Sequence, residues 1–177
     1  MNHLRYLVSW YAILASMFWV SVAHSRDPEP LVVNVKVIRR ALDIGGNAGT
    51  VRDWAHSAVL LTTDNVGIGS RGSFVLEYTK GGVTLTPANL KLVATDEKNS
   101  TMKIKADGYD FNGKKVNRYE WTSQLRGVNL SRTKNYSPEG LKQIMHDVVG
   151  NNEYDIRRHN CHDVQEEFRR RIGLTVD

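Results

Sequence analysis

A single cysteine stands between two histidines in the run His159-Asn160-Cys161-His162. A thiolate can attack a carbonyl carbon and hold the acyl group, provided that a base lies within hydrogen-bond reach of the sulfur. Cys161 is therefore the candidate nucleophile, and one of the six histidines must be its partner. His3 and His24 fall inside a segment that reads as a secretory leader. His146, between Met145 and Asp147, reads as a surface residue of a helix. His159 and His162 are close in sequence, but adjacent side chains at a helix terminus diverge, so neither lines up with the sulfur. His56 opens a predicted strand among hydrophobic residues and is the candidate general base. Taken singly, each residue has a plainer reading: His56 as a satisfied histidine, Cys161 as a small core hydrophobe. A zinc site made of His159, Cys161 and His162 does not reproduce the paired ligand spacing of such sites, and no metal or cofactor is expected.

The elements that must position these residues follow from pattern. Predicted strands are 31–38, 54–61 with Trp54, His56, Ala58 and Leu60 on one face, 74–78 and 83–86, with weaker ones at 90–94, 101–105 and 119–122. A Gly-rich loop is expected over 43–50. Ser137-Pro138-Glu139 is a helix start, Leu141, Ile144, Met145 and Val148 form its stripe, and Gly150 ends it. The last helix begins near Asn160 or Cys161 and ends at Gly173. Val164, Phe168 and Ile172 share a face with Cys161, so the thiol points inward from a helix N-terminus. There the helix dipole and the first amides favour a thiolate, and the same amides can donate to an oxyanion.

Arg5 followed by uncharged residues 6–23 and the small-x-small pattern Ala23-His24-Ser25 has the form of a signal peptide, residues 1–25. The expected location is secreted, the alternative being a membrane anchor formed by residues 6–23. Removing the leader takes one Arg and no acid from a formal net charge of +5 and leaves the length of one ordinary domain. The divisions are 26–52, an N-terminal strand and loop, and 53–177, the domain that carries His56 and Cys161. One cysteine excludes an intramolecular disulfide framework. The basic residues are dispersed and lack interleaved aromatics, so nucleic acid is not an expected partner. Sequons at Asn99, Asn129 and Asn135 fit a glycoprotein. Gly67-Ile68-Gly69-Ser70-Arg71-Gly72 matches a dinucleotide fingerprint, but Ser73 to Tyr78 is strand-like where that fingerprint needs a helix, so the motif reads as a hairpin loop.

The stretch Tyr154-Asp155-Ile156-Arg157-Arg158-His159-Asn160-Cys161-His162-Asp163-Val164 resembles the Cys motif of the PPPDE family of permuted papain-like thiol peptidases, in which a Tyr precedes His-Asn-Cys. Trp54-Ala55-His56-Ser57-Ala58-Val59-Leu60 is similar to that family's Trp-His strand with one inserted residue, and Glu77 to Val83 to its next strand and Gly-Gly turn. The departures are His162 for a usual Asn, Val164 for a usual Phe, and a longer stretch from Pro87 to Tyr119. The resemblance implies an α+β fold, with an antiparallel sheet packed against a C-terminal helix carrying the Cys. It also implies a Cys161–His56 dyad supported by Asn160, His159 and Trp54. Glu77 and Tyr78 on the next strand are candidates for a third residue orienting His56, which the resemblance itself does not supply. The implied activity is hydrolysis of an amide, isopeptide or thioester bond in a protein or acyl substrate. The lecithin:retinol acyltransferase-like group is a related pattern and makes acyl transfer the alternative. A secreted binding module without catalysis is the other.

Overall fold

A computed structural model describes residues 29–43, 50–64, 72–88, 90–110, 112–124, 126–131 and 134–174. The leader and most of the Gly67–Gly72 motif lie outside them. Eight strands form one antiparallel sheet: β1 (Val32–Asp43), β2 (Thr50–Thr63), β3 (Ser73–Thr79), β4 (Gly82–Pro87), β5 (Lys91–Asp96), β6 (Thr101–Tyr109), β7 (Lys115–Gln124) and β8 (Val128–Asn129). The order across it is β4-β3-β2-β1-β7-β6-β5, with β8 beside β1. Two helices follow, α1 (Pro138–Val149) and α2 (Cys161–Arg171). The fold is α+β. β1 sits in the middle of the sheet, so residues 26–52 and 53–177 contribute to one layer.

The sheet is strongly curled. β3 and β4 touch β6 although they are not hydrogen-bonded to it. The turn glycines Gly81 and Gly113 meet so closely that a Cβ on Gly81 would lie 2.8 Å from the Gly113 Cα. Alternation along the strands then fills two cores. Ile38, Ala58, Leu60, Val75, Ile104, Ala106 and Trp121 fill the concave side. Val35, Val59, Leu61, Leu76 and Tyr78 face outward, against Leu141 and Met145 of α1 and Val164 and Phe168 of α2. The helix starts agree with the reading from sequence. Ser137 caps α1, its hydroxyl accepting from the Gly140 N–H at 3.1 Å, and Gly150 ends it at φ +59°.

Two expectations are corrected. β2 begins at Thr50, so His56 lies inside the strand and does not open it. The charged pair Arg52-Asp53 hides the start from an apolar pattern, while cross-strand pairing of Asp43↔Thr50 and Leu42↔Val51 holds it extended. β1 likewise continues past Ile38 to Asp43, because Arg39 and Arg40 pair with Ser57 and His56. Of the predicted 43–50 loop, Asp43 and Thr50 are strand residues and the rest lies outside the described residues. The segment after Gly72 is β3, a strand as expected. Among the described residues, no helix is long and apolar enough to cross a membrane.

Phe168 has no solvent exposure and joins α2 to the outer core. Phe168→Ala should cost about 3–5 kcal/mol in urea denaturation, whereas Leu92→Ala on exposed β5 should change stability by no more than about 0.5 kcal/mol.

Candidate functional site

α2 lies on the outer face of the sheet, whereas His56 points to the concave side with Ala58 and Leu60. The two meet at an opening in the sheet. β2–β3 pairing ends at Ala58↔Glu77. Beyond it the Ser57 N–H, no longer used by the ladder, donates to the Cys161 Sγ at 3.4 Å. The sulfur thus takes the Ser57 amide that continued β2–β3 pairing would have used, and there it hydrogen-bonds the His56 ring. His162 fastens the same junction, its Nε2 lying 2.7 Å from the Ala55 carbonyl oxygen. The structure brings Cys161 and His56 together from residues more than a hundred positions apart.

A third residue is decided by distance. His56 Nε2 lies 2.9 Å from Glu77 Oε2, which leaves Nδ1 for the Cys161 sulfur. Of the two candidates on β3, Glu77 is the one that holds the His56 ring. Tyr78 faces the other way, packed 5.1 Å from the Tyr154 ring and 5.8 Å from the His159 ring. Glu77 Oε1 accepts the Tyr109 N–H at 2.8 Å, an approach that a Cβ at 108 would crowd, at 3.0 Å from the Trp121 ring and 3.1 Å from that oxygen.

Arg40 completes the group, and the sequence reading missed it. It is the cross-strand partner of His56, its Nη2 lies 3.9 Å from Glu77 Oε2, and it donates to the Tyr109 carbonyl. Its guanidinium lies 3.7 Å from the Tyr119 ring centroid and 5.0 Å from that of Trp121, a stacking that suits a delocalised, weakly hydrated cation. An arginine of inward parity next to the candidate base on a neighbouring strand was the available signal. Only knowledge of the register could have used it.

The site is almost dry: Cys161 is 3% exposed, His56 2% and Glu77 0%. Burial pushes the Cys161 thiol up. The hydrogen bond and charge of His56 oppose this, with help from the Ser57 amide and the Tyr154 hydroxyl, and the thiol ends below its usual range. Burial pushes His56 down, as does Arg40. The hydrogen bonds to Cys161 and Glu77 and the thiolate charge prevail, and the imidazole ends above its usual range. Opposite shifts of this kind favour a thiolate–imidazolium pair.

Asn160 is the α2 N-cap and the helix begins at Cys161, within the start expected near Asn160 or Cys161. Its side-chain oxygen accepts from His162 N at 2.8 Å and Asp163 N at 3.3 Å, while Asp163 Oδ2 accepts from the Asn160 N–H. This capping box takes up two first-turn amides, and the Asn160 carbonyl takes the Val164 amide. The expectation that the helix start offers its amides to an oxyanion is therefore narrowed to the Cys161 N–H. Cys161 N–H is the donor that remains, and it lies against the Tyr154 hydroxyl oxygen, whose own proton reaches the sulfur. Burial and the neighbouring thiolate push the Tyr154 phenol far up, so it keeps that proton. Tyr154 was legible only as a letter of the motif. His159 stacks edge-on against Tyr78 and does not reach the dyad. The Trp54 side chain lies outside the described residues, and His146 is exposed.

No family model, curated protein or solved structure matches the chain. The resemblance to PPPDE peptidases therefore rests on the motif residues themselves.

Alkylation of Cys161 by iodoacetamide reports its thiolate directly. Its half-maximal pH should lie below the ordinary thiol value of about 8.5 and move up toward that value in His56→Ala. Asn160→Ala should destabilise the fold by about 1 kcal/mol in urea denaturation through loss of the cap.

Proposed function

We propose that the chain is a secreted cysteine hydrolase of permuted papain-like architecture, in which Cys161 attacks a carbonyl and His56, held by Glu77, moves the proton. The observation that carries this reading is the continuous contact of Cys161, His56 and Glu77 in a nearly water-free pocket. A structural histidine would be satisfied by Glu77 alone, and a structural cysteine needs no hydrogen-bonded imidazole.

In the ground state the sulfur is a thiolate and His56 is protonated. Attack forms the S–C bond and moves the carbonyl π pair onto oxygen. That oxyanion lies one bond from the carbon and accepts from the Cys161 N–H and the Tyr154 hydroxyl. Its collapse breaks the bond to the leaving nitrogen, oxygen or sulfur, which takes the His56 Nδ1 proton. Water then gives a proton to His56 and its oxygen to the acyl carbon. The S–C bond breaks, and the thiolate and imidazolium are restored.

A thiol with so little exposure suits a small acyl group or an extended chain terminus better than a folded surface. Export through the 1–25 leader separates the protein from intracellular modifiers, so the substrate is an amide, ester or thioester met outside the cell. In a eukaryotic secretory route the exposed Asn99, Asn129 and Asn135 would be open to glycosylation.

Cys161→Ala should abolish turnover of an acyl-thioester probe. The profile of kcat/KM against pH should be a bell, with an acid limb where the thiolate is protonated, below the ordinary thiol range. Its alkaline limb marks loss of the His56 proton, above the ordinary imidazole value of about 6.5. Glu77 raises the His56 pKa, so Glu77→Gln should move the alkaline limb down and narrow the bell. A profile that rises like a free thiol's, with no alkaline limb, would refute the ion pair. Tyr154→Phe should lower kcat/KM on the order of 10²-fold while Cys161 is still alkylated readily, because alkylation forms no oxyanion. Loss of both in parallel would remove Tyr154 from the oxyanion role.

A further inference from the structure

Gln165 lies one turn after Cys161 on α2 and is only 6% exposed. Glutamine is seldom found so deep, because its amide brings two donors and an acceptor that must be matched. Here only the acceptor is. Oε1 accepts the Ser57 hydroxyl at 3.2 Å, and the Ser57 N–H in turn donates to the Cys161 Sγ at 3.4 Å. Nε2 is closed off from solvent and has no hydrogen-bond partner among the described residues. Turning the amide over does not help. With Nε2 toward Ser57, Oε1 would be stranded and the Ser57 proton would lose its acceptor, two unmatched groups in place of one.

The position of this donor gives it a use. A buried donor without a partner raises the energy of the free protein, and an acceptor brought to it by a ligand lowers that energy. Cβ atoms four residues apart on a helix stand about 5–6 Å from each other, and both side chains are tied to Ser57. Gln165 and the sulfur therefore belong to one wall of the same site. An acyl group held on the sulfur needs only a few further bonds to cross that distance. The other buried polar groups on this wall are already matched: Ser57 by Gln165, His56 by Glu77, and Glu77 by the Tyr109 amide.

We propose that Gln165 is a specificity residue, its Nε2 donating to a carbonyl oxygen that the substrate carries a few bonds away from the scissile carbonyl. This rests on the reaction proposed for Cys161 and narrows its substrate to peptidyl or N-acyl-aminoacyl groups. A hydrocarbon acyl chain of the same length would cover the donor and leave it unmatched, and a site built to hydrogen-bond discriminates strongly against the analogue that lacks the bond. Of the two occupants that suit so enclosed a thiol, Gln165 selects the chain terminus over the plain acyl group.

Two thioesters of the same leaving thiol and closely matched length, N-acetylglycyl and pentanoyl, test this. Their kcat/KM values are measured for the full chain, each divided by the uncatalysed hydrolysis rate so that intrinsic reactivity cancels. The N-acetylglycyl thioester should be preferred by about a hundredfold or more, and Gln165→Leu should reduce that preference by about tenfold or more. A residue that merely held Ser57 and the helix in place would lower both values together and leave the preference where it was. Equal normalised values for the two thioesters, or an undiminished preference in the variant, would overturn the proposal while leaving catalysis by Cys161 standing. If Gln165→Leu loses its native circular dichroism, Gln165→Met, closer in shape, carries the comparison, and an undiminished preference there overturns it equally. Turnover of neither thioester beyond that of Cys161→Ala would overturn the reaction itself, and this inference with it.

Discussion

Four groups with opposite preferences are held out of water in a line, and the rest of the structure is arranged to make that tolerable. Arg40 faces Glu77, Glu77 faces His56, and His56 faces Cys161. A buried charge left alone costs several kcal/mol, so each member depends on the sign of the next. The four come from β1, β3, β2 and α2. No flat sheet could assemble them, because Glu77 of β3 must also accept the Tyr109 N–H of β6, and β2, β1 and β7 lie between those two strands in the sheet order. Curvature of the sheet is thus an electrostatic requirement as much as a packing outcome. Gly108 and the contact of Gly81 with Gly113 are where the backbone makes room for it.

The helix and the base begin on opposite faces of one layer, which would ordinarily keep them apart. They meet because β3 parts from β2 after Glu77, although it continues to Thr79 beside β4. An unused strand amide at Ser57 would leave a polar group to satisfy at the sheet edge, and the Cys161 sulfur supplies the acceptor. The same contact that completes the edge places the sulfur beside the imidazole. His162 holding the Ala55 carbonyl fixes the helix start against sliding along the strand. Between them, Ser57 and His162 convert a helix docked by its apolar stripe into one docked in a single register.

What could be read from the sequence was what local chemistry writes there. Ser137-Pro138-Glu139 is a capping signal, and the start of the last helix near Asn160 or Cys161 was legible too, because such signals are decided by residues three or four apart. The inward face of Cys161 follows from the spacing of Val164, Phe168 and Ile172, which needs only the helical period. Glu77 was one of two candidates on its strand, and parity settles it only once the register with β2 is known. Arg40 was hidden because Arg39-Arg40 looks like the polar end of an apolar strand, whereas curvature carries β1 inward past that point. The beginning of β2 was hidden for a similar reason. Its first residues include the charged pair Arg52-Asp53 and are extended through pairing with β1, a long-range fact that no local pattern records.

Asn160 sets how the proposed reaction can work. By taking the His162 and Asp163 amides, it spends on the fold the donors that a helix start might have offered to an oxyanion. Helix dipole and thiolate still attract, since the aligned peptides remain behind the cap. Stabilising the thiolate and stabilising the oxyanion therefore fall to different groups, and Tyr154 alone touches both. Its hydroxyl already donates to the sulfur before attack, which by itself would favour the ground state and slow the reaction. During attack, however, the negative charge moves from sulfur to an oxygen close by, and the hydroxyl need only rotate to follow it. A hydroxyl bound to an oxyanion makes a shorter and stronger hydrogen bond than one bound to sulfur. The gain lies in that difference, and it requires that the phenol keep its proton beside a thiolate, as its burial ensures.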